Sequence, residues 1–98
     1  MPSTITCVLK LYIVNETPKI EAVISNLHQI CDRELNGDYN LHIINILDNP
    51  EQAEIDSILA TPTLIKELPS PAKRIIGDIS SIEKVMSGLD LKETTLNV

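Results

Sequence analysis

Apolar residues recur along this chain in two rhythms, and the change from one to the other marks its elements. Ile5 to Val14 is rich in β-branched and apolar residues, the pattern of a strand buried on both faces. Thr17 then offers an N-cap hydroxyl, and Pro18 occupies the first helical position, where its missing N–H leaves no bond unmade. Ile20, Val23, Ile24, Leu27, Ile30, Cys31 and Leu35 follow at three- and four-residue spacing, which predicts one apolar helical stripe. Asn36-Gly37 predicts the helix end, glycine supplying the left-handed cap. Tyr39 to Leu47 predicts a second apolar strand. Strand, long helix and strand make a right-handed βαβ unit with parallel strands.

The second half supports two readings. Asn49-Pro50-Glu51-Gln52 has the form of a capping box opening a short helix to about Leu59. Thr63 to Leu68 and Lys73 to Ile76 suit two strands joined across Pro69-Ser70-Pro71. Ser80 with Glu83 forms a further capping box, opening a helix with Ile82, Val85, Met86 and Leu89 on one face. The order is then βαβαββα, that of a thioredoxin-like domain, with Thr61-Pro62-Thr63 where that fold places its cis-proline loop. In the other reading, Ser70 is an N-cap and Pro71 the first residue of a helix over Ala72 to Gly77. Leu64, Ile65 and Leu68 fit a helix face as well as a strand. Leu89-Asp90-Leu91-Lys92 alternates like an edge strand, and Gly88 weakens the helix before it. That order is βαββααβ, and local preference does not choose between the two.

At 98 residues the chain is one domain, spanning positions 1–98, with a core of little margin. Phe and Trp are absent and Tyr12 and Tyr39 are the aromatics, so leucine and isoleucine fill the interior, and no large ring fixes one packing. A net charge of −6 argues against binding nucleic acid or an anionic membrane, which needs a basic face. No apolar run reaches the roughly 20 residues of a membrane helix. Met1-Pro2-Ser3-Thr4 has no basic segment leading into an apolar one, so secretion is not expected. Cys7 and Cys31 lie on apolar-patterned segments, which predicts two buried thiols in a reducing cytoplasm rather than a disulfide.

A thioredoxin-like outline invites a dithiol mechanism, which needs a low-pKa thiolate at the start of the first helix and a resolving thiol three residues on. That loop reads Val14-Asn15-Glu16-Thr17-Pro18 and holds no cysteine. His28 and His42 have no cysteine or carboxylate cluster at ligand spacing, so solvated side chains are expected rather than a metal site. Gly37, Gly77 and Gly88 are the glycines and build no phosphate-cradling loop. Neither an enzyme nor a cofactor is expected. Lys66, Lys73 and Arg74 remain, flanking the variable segment; on a thioredoxin-like hairpin they suit a basic patch facing an acidic partner, or are ordinary solvated cations.

In Leu59-Ala60-Thr61-Pro62-Thr63-Leu64 and in Pro69-Ser70-Pro71-Ala72-Lys73-Arg74-Ile75-Ile76-Gly77-Asp78-Ile79-Ser80 the chain bears a resemblance to the KaiB family of bacterial clock proteins. The resemblance continues at Lys10-Leu11-Tyr12, Thr17-Pro18, Asp48-Asn49-Pro50-Glu51, Glu83-Lys84-Val85 and Gly88-Leu89-Asp90, without gaps from about Leu9 to Leu91. It implies a non-enzymatic regulator that rests as a homotetramer, or dimer of dimers, in the βαββααβ form. Such a protein binds the ATPase ring of KaiC as a thioredoxin-like βαβαββα monomer, and the bound ring captures KaiA so that KaiC phosphorylation falls. It also implies that Lys66, Lys73 and Arg74 contribute to docking on KaiC, and a slow change of fold, for which isomerisation at Pro62, Pro69 and Pro71 is a natural source of slowness. Gly88 and Asp90, inside or near the end of the last helix of the thioredoxin-like form, penalise that form by propensity and by the helix dipole. Ala22, His42 and Ile82 stand where basic residues are usual, and Ser70 replaces a proline. Less positive charge weakens steering toward an acidic partner, KaiA capture most of all, and fits a divergent member used in stress adaptation. A sensor domain of a clock-associated histidine kinase is the competing expectation; the Pro69 to Ile79 block matches KaiB better.

Overall fold

The computed structural model describes residues 7–69 and 71–77. Expectations at Ser70, Ser80, Ile82, Glu83, Gly88 and Asp90, including the last helix or edge strand, lie outside the described residues. Within them the order is β1 (Cys7–Ile13), α1 (Pro18–Glu34), β2 (Tyr39–Asn45), α2 (Pro50–Ile55), β3 (Thr63–Leu68) and β4 (Lys73–Ile76). The four strands form one sheet in the order β2-β1-β3-β4. β1 runs parallel to β2 and antiparallel to β3, and β3 is antiparallel to β4. This is a thioredoxin-like arrangement, and Lys73–Ile76 is a strand rather than a helix. The Thr61–Pro62 bond is cis, as expected for that loop, and Leu68–Pro69 is cis too.

The first half forms as its pattern predicts. The Thr17 hydroxyl accepts from the Ile20 N–H at 3.2 Å, capping α1. Helical geometry ends at Leu35, and Asn36 and Gly37 both take left-handed angles, with φ of 54° and 75°. Alternation along β1 sends Cys7, Leu9, Leu11 and Ile13 to one face, where they meet Leu27, Ile30 and Cys31 of α1 and Leu64 of β3. Removing side chains of this size from water contributes roughly 1.5–3 kcal/mol each. On the opposite face Tyr12, Ile44, Ala53 and Ile65 form a smaller cluster under α2.

α2 departs from expectation. It stops at Ile55 rather than near Leu59, and the Asn49 side chain makes no capping bond to it. Ser57, with φ of 55°, ends it instead. The Ile58 N–H bonds the Ala53 carbonyl at 2.9 Å and the Ser57 N–H bonds that of Glu54 at 3.0 Å. That pair is a Schellman closure, with serine where glycine is usual.

Candidate functional site

α2 lies over Tyr12, Ile44 and Ile65 on its face of the sheet, and polar side chains of β1 and β3 gather beside them. Lys10 and Tyr12 are two residues apart on β1 and so point to the same side. Lys10 Nζ lies 3.1 Å from Asp56 Oδ2 and 2.6 Å from Glu67 Oε2. The Tyr12 hydroxyl donates to the same Asp56 oxygen. Glu67 is placed by a bulge: Val8 pairs with Leu68 and Leu9 with Lys66, leaving Glu67 between them. Asp56 caps the C-terminus of α2, so one carboxylate ties that helix end to β1.

Arg74 completes the arrangement from β4. Its guanidinium donates to the Asp56 carbonyl at 2.9 Å and to the Ser57 carbonyl at 3.4 Å. Asp56 is thus held through its side chain by β1 and through its main chain by β4. The hydrogen bond from Tyr12, and then those from Lys10, hold the Asp56 carboxyl below its ordinary pKa against the effect of burial. Burial and the neighbouring Asp56 charge push the Tyr12 phenol up to about 12. Burial disfavours the Lys10 ammonium, but its bonds to Glu67 and Asp56 outweigh that, and its pKa is raised.

Around this cluster lie two recesses. An open groove of about 570 Å³ is lined by Lys10, His42, Asn49, Gln52 and Glu67 with Val8 and Ile44. The other, of about 470 Å³, lies under α2 against Ile46, Pro50, Ala53, Ile58 and Leu59. Ile55 and Leu59 are 80% and 93% exposed beside the carbonyls that hold Arg74. Among the described residues no group of three or more histidines, cysteines or carboxylates sits as a metal site would require.

The basic patch expected of Lys66, Lys73 and Arg74 does not assemble. Lys66 is 2% exposed, and alternation along β3 puts it with Leu64 on the α1 face. Four consecutive residues of β3, Thr63 to Lys66, are buried, so both of its faces are covered there, and a long aliphatic stem can lie in such a place. Lys73 is the cross-strand partner of Lys66, while Arg74 faces Ile65 on the other side. Lys73 and Arg74 are both exposed, but they leave β4 toward opposite faces. The signal for the observed cluster was present in β1, where Lys10 and Tyr12 at i and i+2 interrupt an apolar strand on one face.

The thiols are buried and free. Burial raises the pKa of Cys7, and that of Cys31 reaches about 12 through burial and then the proximity of Cys7 and Asp32. Neither is a ready nucleophile. His28 is exposed but not unpartnered. Tyr39 donates its hydroxyl proton to Asp32 at 2.9 Å, so the 2.8 Å contact between His28 Nδ1 and Tyr39 requires the histidine to donate.

A family model for the KaiB domain matches residues 10–91. This chain belongs to the KaiB family. The circadian clock protein KaiB3 of Synechocystis sp. is 46% identical over 91 residues, covering 93% of this chain and 89% of that protein. The circadian clock oscillator protein KaiB of Thermostichus vulcanus is 52% identical over 86 residues, covering 88% and 80%. Among solved structures, the N-terminal domain of Synechococcus elongatus SasA superposes with a TM-score of 0.72 at 20% identity, over 89% of this chain and 82% of that one. Chloroplastic thioredoxin z gives 0.62 at 16% identity, over 89% and 80%. Both structural likenesses speak to the fold. In this KaiB-family chain the loop Val14–Thr17, ahead of α1, offers no thiol.

Proposed function

We propose that this protein is a non-catalytic clock regulator that docks on the ring of a KaiC-type ATPase and modulates its phosphorylation state. Relatives of about half identity along most of the chain are named circadian clock proteins, which supports the clock role. One observation carries the docking: Arg74, exposed on an edge strand, is fixed by two carbonyls beside the exposed Ile55 and Leu59. A cation held in place beside an apolar surface suits a partner with an acidic patch, because a pre-ordered side chain loses little freedom on binding. The buried, unreactive thiols and the cysteine-free loop before α1 support a role without catalysis. The family further supports a homotetrameric resting state in the βαββααβ arrangement and a cytoplasmic location. No helix of the described residues is long and apolar enough to cross a membrane.

Titrating a purified KaiC-type ring with the protein and its variants tests the docking. Arg74→Ala is expected to weaken binding by about tenfold and to reduce its salt dependence, whereas Lys73→Ala has the smaller effect. Unchanged affinity and salt dependence for Arg74→Ala would remove the assignment. A second reading, a stress-adaptation member with weaker docking, is favoured by Ala22 and His42, which are exposed and bring no fixed positive charge.

A further inference from the structure

We propose that Lys10 and Tyr12 are positioning residues for partner binding: through the Asp56 carboxylate they fix the connection whose carbonyls present Arg74. The inference rests on the docking reading above. α2 is six residues long and buries Ala53 alone, and Ile58 just beyond it is only partly buried against the same cluster, so apolar packing fixes its C-terminal end at few points. The carboxylate of Asp56 supplies what packing lacks. It receives Lys10 and Tyr12, both rooted in β1 at the centre of the sheet. Charge-assisted bonds of this kind are short and directional. Glu67 on the far side of Lys10 keeps the ammonium between two carboxylates, so Lys10 cannot follow Asp56 outward without losing a partner.

The consequence reaches β4 because the same residue is held at both ends. The Asp56 and Ser57 carbonyls take two of the five N–H groups of Arg74, and among the described residues the others are open to a partner. A shift of Asp56 moves both carbonyls and with them the guanidinium. Positioning is therefore distinct from packing, since the phenol oxygen of Tyr12, and not its buried ring, makes the link.

A double-mutant cycle of Tyr12→Phe and Arg74→Ala, read as affinity for a purified KaiC-type ring, tests this. Phenylalanine keeps the ring and removes the hydroxyl. Tyr12→Phe is expected to weaken binding several-fold in the parent, roughly threefold to tenfold, and to change nothing in the Arg74→Ala background. Amide exchange at Ser57 and Ile58 should quicken while that of Leu9 to Ile13 stays as in the parent. If the two effects multiply instead, Tyr12 acts independently of Arg74 and the inference is overturned while docking through Arg74 stands. If Arg74→Ala binds as the parent does, the docking reading falls and the positioning role falls with it. Should Tyr12→Phe not fold, Asp56→Asn in the same cycle reads the same coupling, since the amide keeps the size and removes the charge.

Discussion

From Cys7 to Asn45 the chain is anchored by aliphatic burial, with Leu9, Leu11, Leu27, Ile30 and Cys31 at 0% exposure. From Pro50 to Ile76 the anchors are of another kind. β3 is sunk in the sheet, but α2 buries only Ala53, none of the four residues of β4 is fully buried, and Ile55, Leu59 and Ile76 face outward. What holds α2 and β4 near one another is the set of bonds converging on Asp56. A segment fixed by burial permits one arrangement, because moving it exposes several side chains at once. A segment fixed by a handful of polar contacts stands closer in free energy to alternatives. The difference matches the two readings that the second half supports from its sequence, and it concerns the part of the chain that carries Arg74.

The contrast should be largest for single truncations. Leu27→Ala removes a fully buried side chain between α1 and β1, and is expected to cost about 2–5 kcal/mol. Ile55→Ala removes a residue of similar size that is 80% exposed, and should change stability by less than about 0.5 kcal/mol. Urea unfolding of the two variants measures both. Equal losses would mean that α2 is covered by apolar surface to the same degree as α1, and the comparison would collapse.

A second, smaller effect lies in alkaline stability. The Tyr12 phenol is raised from 10.0 to about 12 in the folded chain, so folding favours its protonated form. Its contribution is complete below about pH 10 and is lost as pH rises through about 12, since the unfolded chain releases that proton first. The full loss is on the order of 2 kcal/mol. Tyr39 and Cys31 titrate in the same window, so the test is the difference between the parent and Tyr12→Phe. The variant should lose less stability between pH 10 and 12. Parallel curves would show that neither burial nor Asp56 holds the phenol protonated in the folded chain.

How much of this was legible in the sequence follows the same division. The βαβ half was readable from Thr17-Pro18, the stripe from Ile20 to Leu35 and Asn36-Gly37, because each local preference agrees with the burial that fixes it. Thr63–Leu68 and Lys73–Ile76 were visible as strands but not distinguishable from helix, since nothing local records which segment ends up inside the sheet. Lys66 was misplaced among exposed cations for that reason. The Asp56 cluster as a whole was not legible: Lys10, Tyr12, Asp56, Glu67 and Arg74 come from β1, the end of α2, β3 and β4, and the strand order β2-β1-β3-β4 brings them together. Strand alternation puts Lys10 and Tyr12 on one face of β1, but nothing in it names their partners.

The smallest expected effect is local to the turn that carries the cluster. Ser57 adopts a φ of 55°, a left-handed geometry that costs a residue with a Cβ about 1–2 kcal/mol. It is kept there by the closure of α2 at Glu54 and Ala53 and by Arg74 on its carbonyl. Glycine takes that angle freely but loses about 0.5–1 kcal/mol in the greater freedom of the unfolded chain. Ser57→Gly should therefore stabilise the described arrangement by a net of about 0.5–1 kcal/mol, seen as a higher urea midpoint with an unchanged slope. An equal gain at Asn36→Gly is not expected, because asparagine tolerates the left-handed region that Asn36 occupies at a φ of 54°. If Ser57→Gly lowers the midpoint, the serine side chain supports the turn by more than its backbone costs. The connection that presents Arg74 would then be a relaxed element, and the weakness assigned to the second half would have to lie in β4 instead.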